Sequence, residues 1–455
     1  MKKILLVYPP FCTAAIPPYS IANLYGFLRK NADDFKIEVL DLNIFFHKKM
    51  FPEYHRYYKA LDKSISFEEY DEKTKEFLQL TKKTYSENNK KVVEGETPSL
   101  DLFDESINEI VKKKPDFVAF SVVYSSQTFY TYSLLAELKK RSIKTIIGGP
   151  AVNKKLIDVA DKYLRNEIEL IEYLCKKGHD KVDFEFYPEF DAFNLEDYFV
   201  KEPVIPIKTS STCYYQQCAF CTHHGKGYYF EYPLEKLKKT IVESGQKNFF
   251  FVDDMIHKKR LLEIAQVLKP LNVRWTCQLK PTKDLDLETM RILNESGLKI
   301  ITWGVESGND RILSLMKKGT NKKDIAQVLK DSHDAGIRNS LYIMFGFPTE
   351  TKDEFLDTIN FLKENDGNID LVWTSVFGLQ KDSPVYNNPK EFGITQIHEK
   401  KRTILEPKIS YEIKSGLTQE EAANMRKKYK KTLENINKYP KEMNFFREHM
   451  FAFID

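Results

Sequence analysis

At 455 residues the chain exceeds the length at which one core keeps growing, so two or three domains are expected. Its 70 Lys and Arg against 66 Asp and Glu leave a net charge of +4 with no dominant basic block, a balance that does not call for nucleic acid, and no nucleic-acid partner is expected. The apolar run opening at Met1 is too brief for a signal peptide and the other long one, residues 117–124, falls far short of a membrane span, so a cytoplasmic protein with no membrane partner is expected.

Residues 3–10 form a continuous apolar strand, 21–29 have helical spacing and 35–42 return to β character, a βαβ opening. Residues 43–106, rich in Lys, Glu, Tyr and Phe, read as an insertion of polar helices with a loop near 93–98, able to cap a pocket, meet a partner or simply be solvated. Strand 116–124, helix 128–140 and strand 144–147 follow, ending at Gly148-Gly149-Pro150. Uniformly apolar strands alternating with helices predict a parallel sheet covered on both faces. Ligands of such sheets sit outside the carboxyl ends of the strands, here Pro9 and Pro10, Ser121, Tyr124 and Ser125, and Gly148 and Gly149. Residues 177–203 read as a linker between domains.

Cys213, Cys218 and Cys221 then fall within nine residues, three of the six cysteines of the chain. So short a loop brings thiolates to one soft metal centre. Three readings stay open: a [4Fe-4S] cluster with one iron free for another ligand, a zinc site completed by His223 or His224, or cysteines sharing no ligand. Clustered thiols in a long chain fit a reducing compartment, with Cys12, Cys175 and Cys277 as small buried residues.

Strands are expected at 204–208, 249–252, 273–278, 299–304, 340–345 and 371–377, with helices at 233–244, 258–268, 286–296, 322–335 and 352–364. Six such repeats make a partial barrel, whose chemistry gathers at the carboxyl ends of the strands. In order, those ends carry the three cysteines, Asp253 and Asp254, Gln278 and Lys280, Glu306 and Ser307, Gly346, and Gln380. From residue 390 on, a capping box at Thr418 and Glu421 and a Lys-rich run to about 438 predict a small helical region ending in Phe445, Phe446, Phe451 and Phe453.

Taken together, Cys213-x4-Cys218-x-Phe220-Cys221, Phe251-Val252-Asp253-Asp254, the Gly304 to Asn309 stretch and the Phe345 to Thr351 stretch resemble the radical S-adenosylmethionine (SAM) superfamily. The N-terminal half, with Val7-Tyr8-Pro9-Pro10 and Ile146 to Pro150, looks like the cobalamin-binding domain of its B12-dependent branch. The resemblance implies an α/β chain: a Rossmann-like cobalamin-binding domain (1–185, insertion at about 43–106), a partial (β/α)6 radical SAM barrel (186–389) and a mainly helical C-terminal region (390–455).

It also implies a [4Fe-4S] cluster on Cys213, Cys218 and Cys221. SAM would be held by Phe220, Asp253, Asp254, Gln278, Lys280, Glu306, Ser307 and Gly346, and cobalamin by Pro9, Pro10, Ser121, Tyr124, Ser125, Gly148 and Gly149. The cysteine spacing departs from the commonest Cys-x3-Cys-x2-Cys, and the Asp-x-His-x-x-Gly motif of B12 proteins that supply a histidine to cobalt is absent. The implied activity is cobalamin-dependent C-methylation of an unactivated carbon, on a peptide or protein side chain ahead of a small molecule, with flavodoxin or ferredoxin as electron donor. Non-methylating radical chemistry (epimerisation, cyclisation or rearrangement) and a non-catalytic metal-binding module are the alternatives.

Overall fold

A computed structural model describes residues 1–95, 99–223 and 227–454. The N-terminal sheet holds β1 (Lys2–Tyr8), β2 (Phe35–Asp41), β3 (Phe117–Ser121), β4 (Lys144–Gly148) and β5 (Lys162–Tyr163), all parallel in the order β2-β1-β3-β4-β5. Helices α1 (Tyr19–Asn31), α2 (Leu42–Met50), α3 (Pro52–Lys59), α4 (Phe67–Glu94), α5 (Phe103–Lys112), α6 (Thr128–Lys140), α7 (Lys154–Val159) and α8 (Glu167–Cys175) complete it. The strand order reverses between β1 and β3, so their carboxyl ends open the crevice in which such sheets take ligands.

The second sheet is also parallel and runs in simple sequence: β6 (Val204–Ile207), β7 (Asn248–Phe251), β8 (Arg274–Leu279), β9 (Leu298–Glu306), β10 (Arg338–Phe345) and β11 (Leu371–Val376). Between the strands lie α9 (Leu234–Ser244), α10 (Lys258–Leu268), α11 (Leu287–Glu295), α12 (Asp310–Leu315), α13 (Lys322–Asp334) and α14 (Lys352–Glu364). Side chains cap these helices as the residue types dictate: Asp286 accepts from Thr289 N, Asn321 from Asp324 N, and Thr351 and Glu354 close a capping box. Trp275 and Trp303 are sealed among apolar neighbours, their indole N–H groups bonded to the Ser296 carbonyl (3.1 Å) and Asn339 Oδ1 (2.7 Å). Phe250, Gln278, Tyr342 and Met344, on alternate positions, are only half-buried and line the concave side.

The C-terminal region departs from the expected helical tail. After α15 (Pro384–Asn387) come an antiparallel hairpin, β12 (Ile394–Lys400) and β13 (Lys408–Ile413), then α16 (Gln419–Lys428) and α17 (Lys430–Glu434). The hairpin strands are largely exposed; β12 lacks a period, whereas Ile409, Tyr411 and Ile413 of β13 do alternate with polar residues, a signal the sequence reading passed over. The region covers the open edge of the barrel: Asn437 Oδ1 accepts from Val372 N (2.8 Å), while Asn444 Nδ2 and Arg426 Nη1 donate to the carbonyls of Val372 (3.2 Å) and Thr374 (2.7 Å). An exposed strand edge is thereby satisfied by side chains instead of another strand.

The insertion is no free decoration. Tyr70 of α4 donates to His449 Nδ1 (2.7 Å), His449 Nε2 donates to the Phe199 carbonyl (2.6 Å), and Asp71 accepts from the backbone N–H of Glu442 (3.0 Å). Tyr58 and Phe446 sandwich the His449 ring at 4.5 and 4.9 Å between centroids. Helix α4 thus clasps the C-terminal segment onto the body. The insertion loop expected near 93–98 is helical as far as Glu94, and its centre, 96–98, lies outside the described residues.

Candidate active site

The cysteine loop follows β6 and lies over the carboxyl ends of β8 and β9. Cys213, Cys218 and Cys221 are all free and half-buried. Burial pushes the Cys218 and Cys221 thiols up and each neighbouring thiolate pushes further, while the Lys318 ammonium pulls both down. The three sulfurs therefore lie within electrostatic reach of one another. Among the described residues no three His, Cys, Asp or Glu side chains close on one point as a single ion requires. His224, one of the two histidines of the zinc reading, lies outside the described residues. His223 is bound elsewhere, its Nδ1 3.2 Å from Thr212 Oγ1 and its Nε2 3.4 Å from Asp254 Oδ1.

Two lysines face the loop. Lys280 is buried, its ammonium 3.2 Å from the centre of the Tyr215 ring, and burial lowers its pKa to about 8. Lys318, which the sequence reading missed, is also buried; it pairs with Glu306 at 2.9 Å and sits 5.7 Å from the Phe220 ring centre. In the sequence Lys317-Lys318-Gly319 looks like an ordinary solvated turn. The available signal was Gly304, where a Cβ would come within 2.8 Å of Lys318 Nζ, so glycine there makes room for the ammonium.

Glu306 adopts φ +70°, a left-handed conformation costing a residue with a Cβ about 1 kcal/mol or more. It follows a register shift between β9 and β10, a bulge that re-aims its carboxylate.

Several expected residues are already engaged. Both carboxylate oxygens of Asp253 accept from Thr209 N (3.0 and 2.9 Å) and one also accepts from Ser210 Oγ (2.7 Å), which braces the start of the cysteine loop. Ser307 is fully buried against Thr358 Oγ1 at 3.2 Å. Gln278 faces the concave side in register with Thr302. Gly346 has φ +71°, but a Cβ there would meet Ala422 of α16 at 2.6 Å, so its bareness admits the C-terminal region.

In the N-terminal crevice the expected residues come together. Gln127 Nε2 donates to the Pro9 carbonyl (2.7 Å), Ser126 Oγ to the Phe11 carbonyl (2.6 Å) and Ser121 Oγ to Ser20 Oγ (2.8 Å), tying the β1 and β3 loops to each other. Pro10 is buried, Tyr124 and Ser125 are exposed at the lip, and Gly148 is half-buried. A Cβ on Gly149 would lie 2.4 Å from the Val122 carbonyl, so that glycine is demanded by loop packing. Of the remaining cysteines Cys277 is buried, whereas Cys12 and Cys175 are only half-buried.

Two open-ended parallel sheets with facing loops and a three-thiol loop define a class. Residues 207–362 match the model of the Radical SAM superfamily. The chain is 26% identical over 332 residues to an uncharacterized methyltransferase of Pyrococcus horikoshii, covering 62% of this chain and 71% of that protein. It is 26% identical over 294 residues to the ribosomal protein uS12 methylthiotransferase RimO of Sulfurihydrogenibium sp. (strain YO3AOP1), covering 57% and 67%.

Among solved structures it resembles TsrM of Kitasatospora setae, a radical S-adenosylmethionine methyltransferase, with tryptophan substrate and a SAM analog bound. The TM-score is 0.66 at 13% identity, over 99% of this chain and 96% of that one. Against the same protein with cobalamin and a [4Fe-4S] cluster bound the TM-score is 0.55 at 14% identity, over 90% and 83%. The chain thus has the α/β fold of a cobalamin-dependent radical SAM enzyme through both sheets. No helix among the described residues is long and apolar enough to cross a membrane.

Proposed function

We propose that the protein is a radical SAM enzyme that uses a [4Fe-4S] cluster, SAM and cobalamin to methylate an unactivated carbon, on a peptide or protein side chain. The observation that carries this reading is the donor set: three partly buried thiols in one loop, faced by the buried cations Lys280 and Lys318. Three thiolates fit a cluster that keeps one iron open. The crevice between β1 and β3 supports cobalamin as the second group. When bound, cluster and SAM supply a hydrogen-abstracting radical and cobalamin supplies a methyl group.

The residues of the chain do the rest. Lys280 offers a cation to the carboxylate of SAM, and Phe220 and Glu306 offer a ring face and acceptors to its nucleoside, alongside Asp254, Gln278 and the backbone of Gly346. Asp253 and Ser307 act behind them, holding the loops. Pro9, Pro10, Ser121, Tyr124, Ser125, Gly148 and Gly149 form the lip for the corrin. On this reading residues 1–185, 186–389 and 390–455 are the cobalamin domain, the barrel and the C-terminal region, and a flavodoxin or ferredoxin supplies the electron. A non-methylating radical reaction is the second reading.

Anaerobic reconstitution with iron, sulfide and methylcobalamin, followed by SAM and dithionite, tests the proposal. About four irons and four sulfides per chain, 5′-deoxyadenosine formation and cobalamin uptake are expected, and Cys213→Ala, Cys218→Ala or Cys221→Ala each abolishes 5′-deoxyadenosine formation. Zinc in place of iron sinks the cluster, and radical turnover without cobalamin uptake favours the second reading.

A further inference from the structure

Arg447 is delivered to the concave face of the barrel by the C-terminal segment. Its Nη1 donates to Thr302 Oγ1 (3.1 Å) on β9 and to the Tyr342 hydroxyl (2.7 Å) on β10, while its guanidinium carbon lies 5.2 Å from the Phe250 ring centre on β7 and 5.6 Å from that of Tyr342. Strands β7 and β9 are separated by β8, so one group touching β7, β9 and β10 together must lie inside the curve of the sheet. No carboxylate of the described residues lies within ion-pair distance of it. Glu448, next in sequence, turns into a separate cavity of about 180 Å³ with Lys201, Glu202 and Arg274.

Two further facts give this cation a direction. Both hydrogen bonds use Nη1, which leaves the Nε–Nη2 edge, the edge a carboxylate takes bidentately, without a partner among the described residues. Its charge also reaches Tyr124 at the lip of the N-terminal crevice, as does the opposite and larger influence of the Glu448 carboxylate. The cation is held directly by two neutral oxygens and two rings, and the carboxylate it feels, that of Glu448, acts through space without occupying its free edge.

From this geometry we infer that Arg447 is the anion-binding residue of the substrate site, and that the substrate carries a carboxylate which docks on its Nε–Nη2 edge between the barrel wall and the N-terminal crevice. This deepens the proposed function and rests on it for the word substrate; the anion site itself does not depend on a cluster. Thr302 stands four residues before Glu306 on the same strand, so the anion would lie roughly 13 Å below the rim along β9. The substrate must then be long enough to span that depth.

The chain has three tryptophans, and Trp275 and Trp303 are sealed in the core. Trp373 is half-buried with its ring 6.5 Å from that of Tyr342, so its fluorescence reports on the Arg447 seat. The test titrates the full chain with acetate, with the neutral isostere acetamide, and with inorganic phosphate. Acetate is expected to give a saturable change that acetamide does not, at least tenfold weaker in Arg447→Met and intermediate in Arg447→Lys, with circular dichroism confirming that both variants fold.

Equal responses to acetate and acetamide, an unchanged acetate response in Arg447→Met, no acetate response at all, or phosphate preferred tenfold over acetate each overturns the carboxylate site. Iron content and 5′-deoxyadenosine formation on the same samples judge the radical SAM reading separately, since that reading can fail while the acetate titration holds, and the reverse.

Discussion

Glu350 sits behind Gly346 with one carboxyl oxygen accepting the Gly346 N–H and Oε1 bonded to nothing among the described residues. Burial raises its pKa to about 8, so the folded chain keeps it protonated where the unfolded chain ionises near 4.5. A carboxyl shifted upward stabilises the fold below its unfolded pKa, and that contribution drains away as pH rises through about 8. Between pH 5 and 8 this group alone should remove up to about 1.4 kcal/mol of stability per pH unit, a slope that denaturant melts should find missing in Glu350→Gln.

The Lys318–Glu306 pair, with side chains only 4% and 13% exposed, poses the opposite case. Lys318→Met should cost about 3–5 kcal/mol because it strands a buried carboxylate, and pairing it with Glu306→Gln should recover much of the loss in a double-mutant cycle. Cys213, Cys218 and Cys221 were legible because they are neighbours in sequence. Lys318 and Arg447 were not, because their setting is made by residues on other strands.

At the scale of elements, barrel strands announced themselves by unbroken apolar runs and helices by their caps. Strand β5 is two residues long, below any periodicity, and β12 buries too little to show a pattern, while the short alternation of β13 stood alone in a region read as helical. The α4 clasp has its own pH signature. His449 is buried neutral, its pKa lowered to about 4 by burial, and so is that of His47 beside α3. A histidine shifted downward costs stability as pH falls from its unfolded value near 6.5 towards 4, because only the unfolded chain takes up the proton. Acid unfolding of the wild type should steepen in that window, and His449→Phe should shallow it. Tyr70→Phe removes the hydroxyl that His449 Nδ1 accepts from, at a cost of about 1–3 kcal/mol. Hydrogen exchange in residues 441–454 should accelerate before the barrel strands do.

For the molecule as a whole, the sequence showed two α/β units joined by a linker but not that the insertion in the first fastens the cover of the second. Tyr70 and His449 stand 379 positions apart, and no local pattern encodes such a contact. Removing the cover should be more damaging than removing a tail: Asn437→Ala with Asn444→Ala uncaps Val372 on both sides and should turn β11 into a sticky edge, seen as concentration-dependent light scattering.

The clasp also sets a timetable. Everything that seals β11 and carries Arg447 inward is synthesised after all six barrel strands, and part of its seat is on α4, made near the beginning. A nascent chain at several residues per second therefore waits with its barrel unsealed until that late segment emerges and finds its early partner.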